Sequence, residues 1–171
     1  MSGGAVMRVR LFGKLPAHGD FVARGLAAEE RDTLDRWLSD GMTQARARLG
    51  AKFEERWDRA PPWRFAGSDM AGVLAPSVDA AGRRYPIYLA LAEGVAGTAE
   101  RCEELIYAAF AQRWDADRLA EAAAELPAAG EEAMAEPAWW TIGGEGFAPA
   151  TCPGARPADL LAKMLMSEEG A

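Results

Sequence analysis

The chain begins with an alternation of apolar and charged residues that predicts a β-strand from Val6 to Phe12. Within it, Val9 and Leu11 alternate with Arg8 and Arg10, as expected when one face of a strand is buried. Short apolar or aromatic runs bounded by turn residues predict further strands, at residues 63–66, 72–75, 85–92 and 139–142.

Apolar residues at three- and four-residue steps predict a long helix from about Ala28 to Gly50. Leu34, Leu38 and Met42 lie on its apolar face, and Gly50 is a typical C-terminal stop. Shorter helices are predicted over 51–59, over 99–113 after an N-cap at Thr98, from an N-cap at Asp115 to about Leu126, and over 158–166.

Strands separated by substantial helices favour an α/β or α+β fold. A strand pair joined by a turn near residue 80 argues against a wholly parallel sheet. A length of 171 residues with 50% hydrophobic content suits one domain, residues 1–171, in which residues 167–171 are expected to fray.

The charge balance argues against a nucleic-acid-binding protein. The formal net charge is −7, and residues 101–171 alone carry 5 basic and 13 acidic residues, whereas nucleic-acid-binding proteins usually present a basic face. No motif can be placed in the acidic segment 120–136. The sequence shows no signal peptide, no run long enough to span a membrane, and only two cysteines, so we expect a cytoplasmic protein without a disulfide framework.

The loop at residues 13–21 is the densest candidate for recognition or chemistry. It contains Lys14, Pro16, Asp20 and the single histidine, His18, between apolar residues. A phosphate-binding loop would need a glycine five residues before the Gly-Lys pair and a serine or threonine after the lysine. Arginine and leucine occupy those positions, so we exclude this motif.

The chemistry of catalysis and of metal binding is sparse. One histidine cannot build a zinc site, which usually needs three or four ligands, and no cofactor or metal is predicted. A nucleophilic arrangement of Ser77 and His18 with Asp20 or Asp79 stays open, because such groups assemble in space. The simpler alternative is that Ser77 and Asp79 hydrogen-bond a turn. Arg83 and Arg84 fit either an acidic partner or a solvated turn.

Several segments in order resemble the TagF family, the ImpM-like proteins of bacterial type VI secretion. Residues 13–22 resemble its G-K-x-P-x-x-G-D-F signature, and Asp35-Arg36-Trp37-Leu38 its helix signature. Residues 62–65 resemble its aromatic strand, and residues 72–86 resemble its G-V-L-x-P-S-V-D…G-R-x-[FY]-P block. Trp139-Trp140 resembles a late tryptophan pair. The loop at 66–72 is shorter than is usual in the family.

This resemblance implies a three-layer α/β/α sandwich with a central mixed sheet. It also implies a non-catalytic, cytoplasmic regulator that represses type VI secretion after translation. The partner would be the forkhead-associated scaffold protein, which the regulator binds and sequesters. The family supplies no defined catalytic residues, and the oligomeric state stays open.

We hypothesise that the 13–21 loop and the 76–86 turn converge on one partner-binding face. The alternative is that the glycines and prolines only shape the backbone and that Phe21 packs inside. A small hydrolase and a structural component of the secretion apparatus are the rival functions. The partner-binding candidates are Lys14, His18, Asp20, Phe21, Asp79, Arg83, Arg84 and Tyr85, and the loop-shaping residues are Gly13, Pro16, Gly19, Pro76, Ser77, Gly82 and Pro86.

Overall fold

Groups of consecutive strands are separated by helices in the computed structural model, which describes residues 8–93, 96–127 and 136–166. The strands are β1 (Val9–Gly13), β2 (Val22–Arg24), β3 (Trp63–Ala66), β4 (Met70–Ala75), β5 (Ile87–Ala92), β6 (Ala138–Thr141) and β7 (Ala150–Pro153). The α-helices are α1 (Ala28–Leu49), α2 (Phe53–Arg59), α3 (Ala96–Gln112), α4 (Ala116–Ala124) and α5 (Leu160–Met166), and a 3₁₀ turn, Gly50–Lys52, joins α1 to α2.

The seven strands form one sheet in the order β2-β1-β5-β4-β3-β6-β7, and every pairing in it is antiparallel. The mixed sheet that the family resemblance implies is therefore wrong for the described chain. Four of the six pairings join strands that follow each other along the chain, which short connections can link only in the antiparallel sense. The strand pair around residue 80 is confirmed, with Ala75 opposite Ile87.

Two hydrophobic clusters flank the central strands. Along β5, Tyr88 and Ala90 belong to a cluster with residues of α1, α2 and α5, whereas Ile87, Leu89 and Leu91 belong to a second cluster with residues of α3 and α4. Successive side chains of a strand point to opposite faces, so both faces of β5 are buried. This explains the almost continuous apolar run of that strand.

Most of the predicted elements are confirmed. Helix α1 ends one residue before Gly50, which caps it with a φ of 54°, and Asp115 caps α4 by accepting a hydrogen bond from the Arg118 N–H at 2.8 Å. Thr98 is not an N-cap, because α3 begins earlier, at Ala96. The prediction missed β2 and β7. Residues 6 and 7, part of the acidic segment (128–135) and the tail at 167–171 lie outside the described residues.

The close approach of β4 to β5 depends on Gly72. A Cβ added there would overlap the carbonyl oxygen of Leu89 and lie 2.6 Å from the Cα of Ala90. We expect Gly72→Ala to lower the free energy of unfolding by about 2 kcal/mol or more, because backbone atoms cannot yield as a side chain can. Urea unfolding followed by circular dichroism measures this change.

Gly19→Ala is the matched control, since nothing lies within 4 Å of a Cβ at that position. Its unfolding free energy should stay within about 0.5 kcal/mol of the wild-type value. Equal losses in the two variants would contradict the proposed steric origin.

Candidate functional site

The 13–21 loop and the 76–86 turn meet at one end of the sheet. The loop leaves β1 at Gly13, which pairs with Ile87 at the start of β5, where the turn ends. Four hydrogen bonds join the two segments: Lys14 N–H to Pro86 O at 3.2 Å, Ala80 N–H to His18 O at 2.7 Å, Ser77 Oγ–H to Lys14 O at 2.7 Å, and Arg83 Nη2–H to Gly19 O at 2.6 Å. The two segments therefore form one surface, as the sequence analysis proposed.

A buried ion pair lies between them. The ammonium of Lys14 is 3.1 Å from Asp79 Oδ2, and their side chains are 9% and 0% exposed. Arg83 reaches the same oxygen through Nε at 2.7 Å, while the backbone N–H groups of Ala81 and Arg83 donate to Oδ1 at 2.9 Å each. Lys14 and Asp79 thus bind each other inside the chain, and their burial does not fit the prediction that they face a partner.

The donors around Asp79 also determine its protonation. Burial acts to raise the pKa of this carboxyl, but hydrogen bonds from the Arg83 backbone, Lys14, the Arg83 side chain and the Ala81 backbone outweigh it. They hold the pKa well below the ordinary value of 3.8. Asp79 therefore stays ionised in the folded chain at all but strongly acidic pH.

The two arginines of the turn have different surroundings. Arg83 is 61% exposed, and its Nη2 donates to Gly19 O at 2.6 Å. Arg84 forms two hydrogen bonds to Asp58, at 2.9 and 2.7 Å, and one to Glu54 at 2.9 Å. Hydrogen bonding to Arg84 lowers the pKa of Asp58 despite the opposing effect of burial. Arg84 thus fastens the turn to α2, and Arg83 is the more accessible of the two.

Three aromatic rings form the apolar part of this surface. Tyr85 is buried, and its hydroxyl donates to Asp35 Oδ1 at 2.9 Å; burial is the main reason that its pKa is raised. Phe21 is 47% exposed, with its ring centroid 4.8 Å from that of Tyr85 and 6.0 Å from that of Phe12. Phe21 therefore contacts the core with one part of its ring and solvent with the rest, while Tyr85 is an internal residue.

The residues of the hydrolase alternative have other partners. His18 Nε2 accepts a hydrogen bond from the Ala116 N–H at 2.9 Å, at the start of α4. Ser77 Oγ donates to the Lys14 carbonyl, and Asp20 Oδ1 accepts from the adjacent Phe21 N–H at 2.8 Å. The nucleophile, base and acid that this alternative requires are therefore not joined in the described chain.

The loop-shaping residues are explained only in part by backbone conformation. Gly13 has a φ of 135° and lies against the carbonyl of Pro86, and Gly82 has a φ of 82°. Both conformations favour glycine. Gly19 has neither a positive φ nor a close neighbour. Pro16 contributes its carbonyl, which accepts a hydrogen bond from Arg113 at 2.9 Å.

An open cavity of about 630 Å³ adjoins this surface, beside Pro16, Pro76 and Ser77. Its aromatic lining was not among the residues predicted to form a site. Trp57 is buried, and its indole N–H donates to Ser77 O at 3.0 Å. Tyr107 is 51% exposed, and its position beside the buried stripe of α3 is the signal that could have drawn attention to it.

Other candidate groups are structural. Both cysteines are buried and unpaired, and burial raises the pKa of the Cys102 thiol to about 12, which makes it unreactive at neutral pH. Trp139 is buried and Trp140 half-buried, as expected for neighbours on a strand, whose side chains point to opposite faces. No group of metal-ligating side chains occurs among residues 8–93, 96–127 and 136–166.

Comparison with known proteins gives a family and a fold. The family model for "TagF N-terminal domain, Type VI secretion system-associated" matches residues 10–126. The chain is similar to a protein solved as the crystal structure of PA0076 from Pseudomonas aeruginosa PAO1, with a TM-score of 0.79 and 24% identity over 95% of this chain and 96% of that one. At this identity the likeness shows a common fold. No curated protein matches the chain.

We expect Asp79→Asn to lower the melting temperature at pH 7, because the Lys14 ammonium stays buried while its carboxylate is lost. The folded pKa of Asp79 lies below the ordinary 3.8, so its stabilising effect is complete above about pH 4 and is lost as the pH falls below that value. The difference in melting temperature between wild type and variant should therefore narrow in acid. Thermal unfolding at a series of pH values measures it.

Asp20→Asn serves as the control, since this exposed carboxylate accepts only a local hydrogen bond from Phe21. Its melting temperature should follow that of the wild type at every pH. A loss in Asp79→Asn that stays constant down to the most acidic sample would contradict the ionic explanation.

Proposed function

The chain belongs to the TagF family of type VI secretion-associated proteins, and we propose that it represses secretion after translation by binding the forkhead-associated scaffold protein. The proposed mechanism is sequestration. Binding free energy holds the scaffold in a form that cannot assemble, and the fraction held depends on affinity and on the relative concentrations of the two proteins. The family match is the observation that carries this proposal.

The surface made by the 13–21 loop and the 76–86 turn is the proposed contact. Its backbone is fixed by the Lys14–Asp79 pair and by four hydrogen bonds between the segments. Ordering a flexible loop weakens association, so a surface that is already ordered binds with less loss of entropy. Phe21 supplies an exposed aromatic anchor, and Asp20 and Arg83 are the exposed charged groups beside it.

We propose that the chain acts without a catalytic step and that it lies in the cytoplasm. The hydrogen bonds of His18, Ser77 and Asp20 to other groups support the first point, and the family resemblance is the basis of the second. None of the described helices is long and apolar enough to cross a membrane. We also infer the three-layer α/β/α arrangement, which the two clusters flanking the sheet support.

Phe21→Ala tests the contact most directly. We expect this variant to bind the purified scaffold about tenfold more weakly or worse, because exposed aromatic anchors dominate interface energies. Calorimetric titration measures the affinity, and a secretion assay in a strain carrying the variant should show repression relieved. Lys14→Ala is a poor test, since it breaks a buried ion pair and would alter the whole surface.

Tyr107→Ala is the matched control, because its ring is 51% exposed, against 47% for Phe21. It lies on α3 and should leave the affinity unchanged. A wild-type chain that does not bind the scaffold would overturn the proposed function. Loss of binding in Tyr107→Ala but not in Phe21→Ala would move the contact to the 630 Å³ cavity.

A further inference from the structure

A second, smaller cavity lies between β2 and α1, beside Phe21. Its volume is about 300 Å³. The lining combines two phenyl rings and two small apolar residues with three charged residues from the first turns of α1. These are Phe12, Phe21, Val22, Ala23, Arg31, Asp32 and Asp35.

The charged residues of this cavity leave an excess of negative charge. Arg31 Nε lies 3.8 Å from Asp32 Oδ1, and both side chains are more than half exposed, so this pair is loose. Asp35 accepts hydrogen bonds from Tyr85 and from Ser39 at 2.9 and 3.1 Å, both on Oδ1. Its second oxygen, Oδ2, is left for another donor, and two carboxylates face a single guanidinium.

The cation already next to Phe21 does not cancel this excess. The Lys14 ammonium lies 4.8 Å from the centroid of the Phe21 ring, but its charge is matched by Asp79 at 3.1 Å. This contact shows that the ring accepts a cation nearby, as the negative face of an aromatic ring favours. The cavity thus joins an aromatic and aliphatic floor to an acidic rim.

We propose that this cavity binds an arginine side chain of a partner protein. The methylene stem of arginine covers apolar surface while its head group stays at a polar rim. The planar guanidinium stacks on aromatic rings and donates to carboxylates in a fixed fork, which lysine cannot do. A purely apolar side chain would add no donor for Asp32 or for the second oxygen of Asp35.

The inference deepens the proposed function and takes its biological meaning from it, because Phe21 belongs to both the cavity and the proposed contact surface. The partner would present a basic residue at this cavity, within a segment that can reach β2. Binding at this cavity is testable without the scaffold.

The direct test titrates the intact protein with the peptide acetyl-Gly-Arg-Gly-amide and follows the ring protons of Phe12 and Phe21 by NMR. We expect saturable shifts with a dissociation constant of about 10 mM or less, which corresponds to weak binding. The same peptide with citrulline, a neutral isostere, or with norleucine should give none, and the lysine peptide should bind more weakly. Equal shifts with arginine and citrulline, or no saturation, would overturn the proposal.

Two charge substitutions should change the affinity for the arginine peptide in opposite directions. Asp32→Asn should weaken arginine binding about threefold, and Arg31→Gln should strengthen it by a similar factor, as exposed charges do. Asp40→Asn, an exposed carboxylate on α1 outside the cavity lining, should change nothing. A purely structural role would weaken binding in both cavity variants, and that result would contradict the electrostatic argument.

The affinity for the scaffold protein tests the inference separately. If the wild type binds the scaffold and Asp32→Asn and Arg31→Gln leave that affinity unchanged, the partner's arginine is not in this cavity and the inference fails alone. If the arginine peptide binds while the scaffold does not, the proposed function fails and the cavity keeps its specificity.

Discussion

The Lys14–Asp79 ion pair joins the loop that leaves β1 to the turn that enters β5, 65 residues later in the sequence. Two buried charges are tolerated only when they meet in good geometry and their remaining hydrogen-bond donors and acceptors have partners. Asp79 meets this condition through the backbone of Ala81 and Arg83 and through the Arg83 side chain. Because Arg83 also binds Gly19, the pair fixes both ends of the 13–21 loop. The position of Phe21, and with it both proposed contacts, depends on this arrangement.

The sequence predicted long or locally encoded elements well and missed elements that depend on a partner. Helix α1 has an apolar stripe over its whole length and a glycine at its end, so its bounds were predicted within one residue. Strands β2 and β7 have three and four residues and are partly exposed, and such segments become strands because β1 and β6 pair with them. The mixed sheet came from the family resemblance, and the antiparallel pairings correct it.

The same distinction applies to the candidate site. Its location was predicted from the density of glycine, proline and charged residues, and the two segments do meet. The roles of individual side chains were not predicted, since lysine and aspartate are usually exposed and nothing local marks Lys14 and Asp79 as a buried pair. Nor does sequence spacing reveal that the single histidine accepts a hydrogen bond from the first turn of α4. Partner-facing residues remain a proposal that centres on Phe21.

The two cysteines occupy different clusters: Cys152 is packed with residues of α1, α2 and α5, and Cys102 with residues of α3 and α4. The two clusters contain alternate residues of β5 and so lie on its opposite faces, which keeps the two thiols apart in the folded chain. Each sulfur reacts with an alkylating reagent only when its own side of the molecule opens. The native chain therefore carries an independent chemical reporter on each side, and labelling rates can show which helices detach first without any introduced residue.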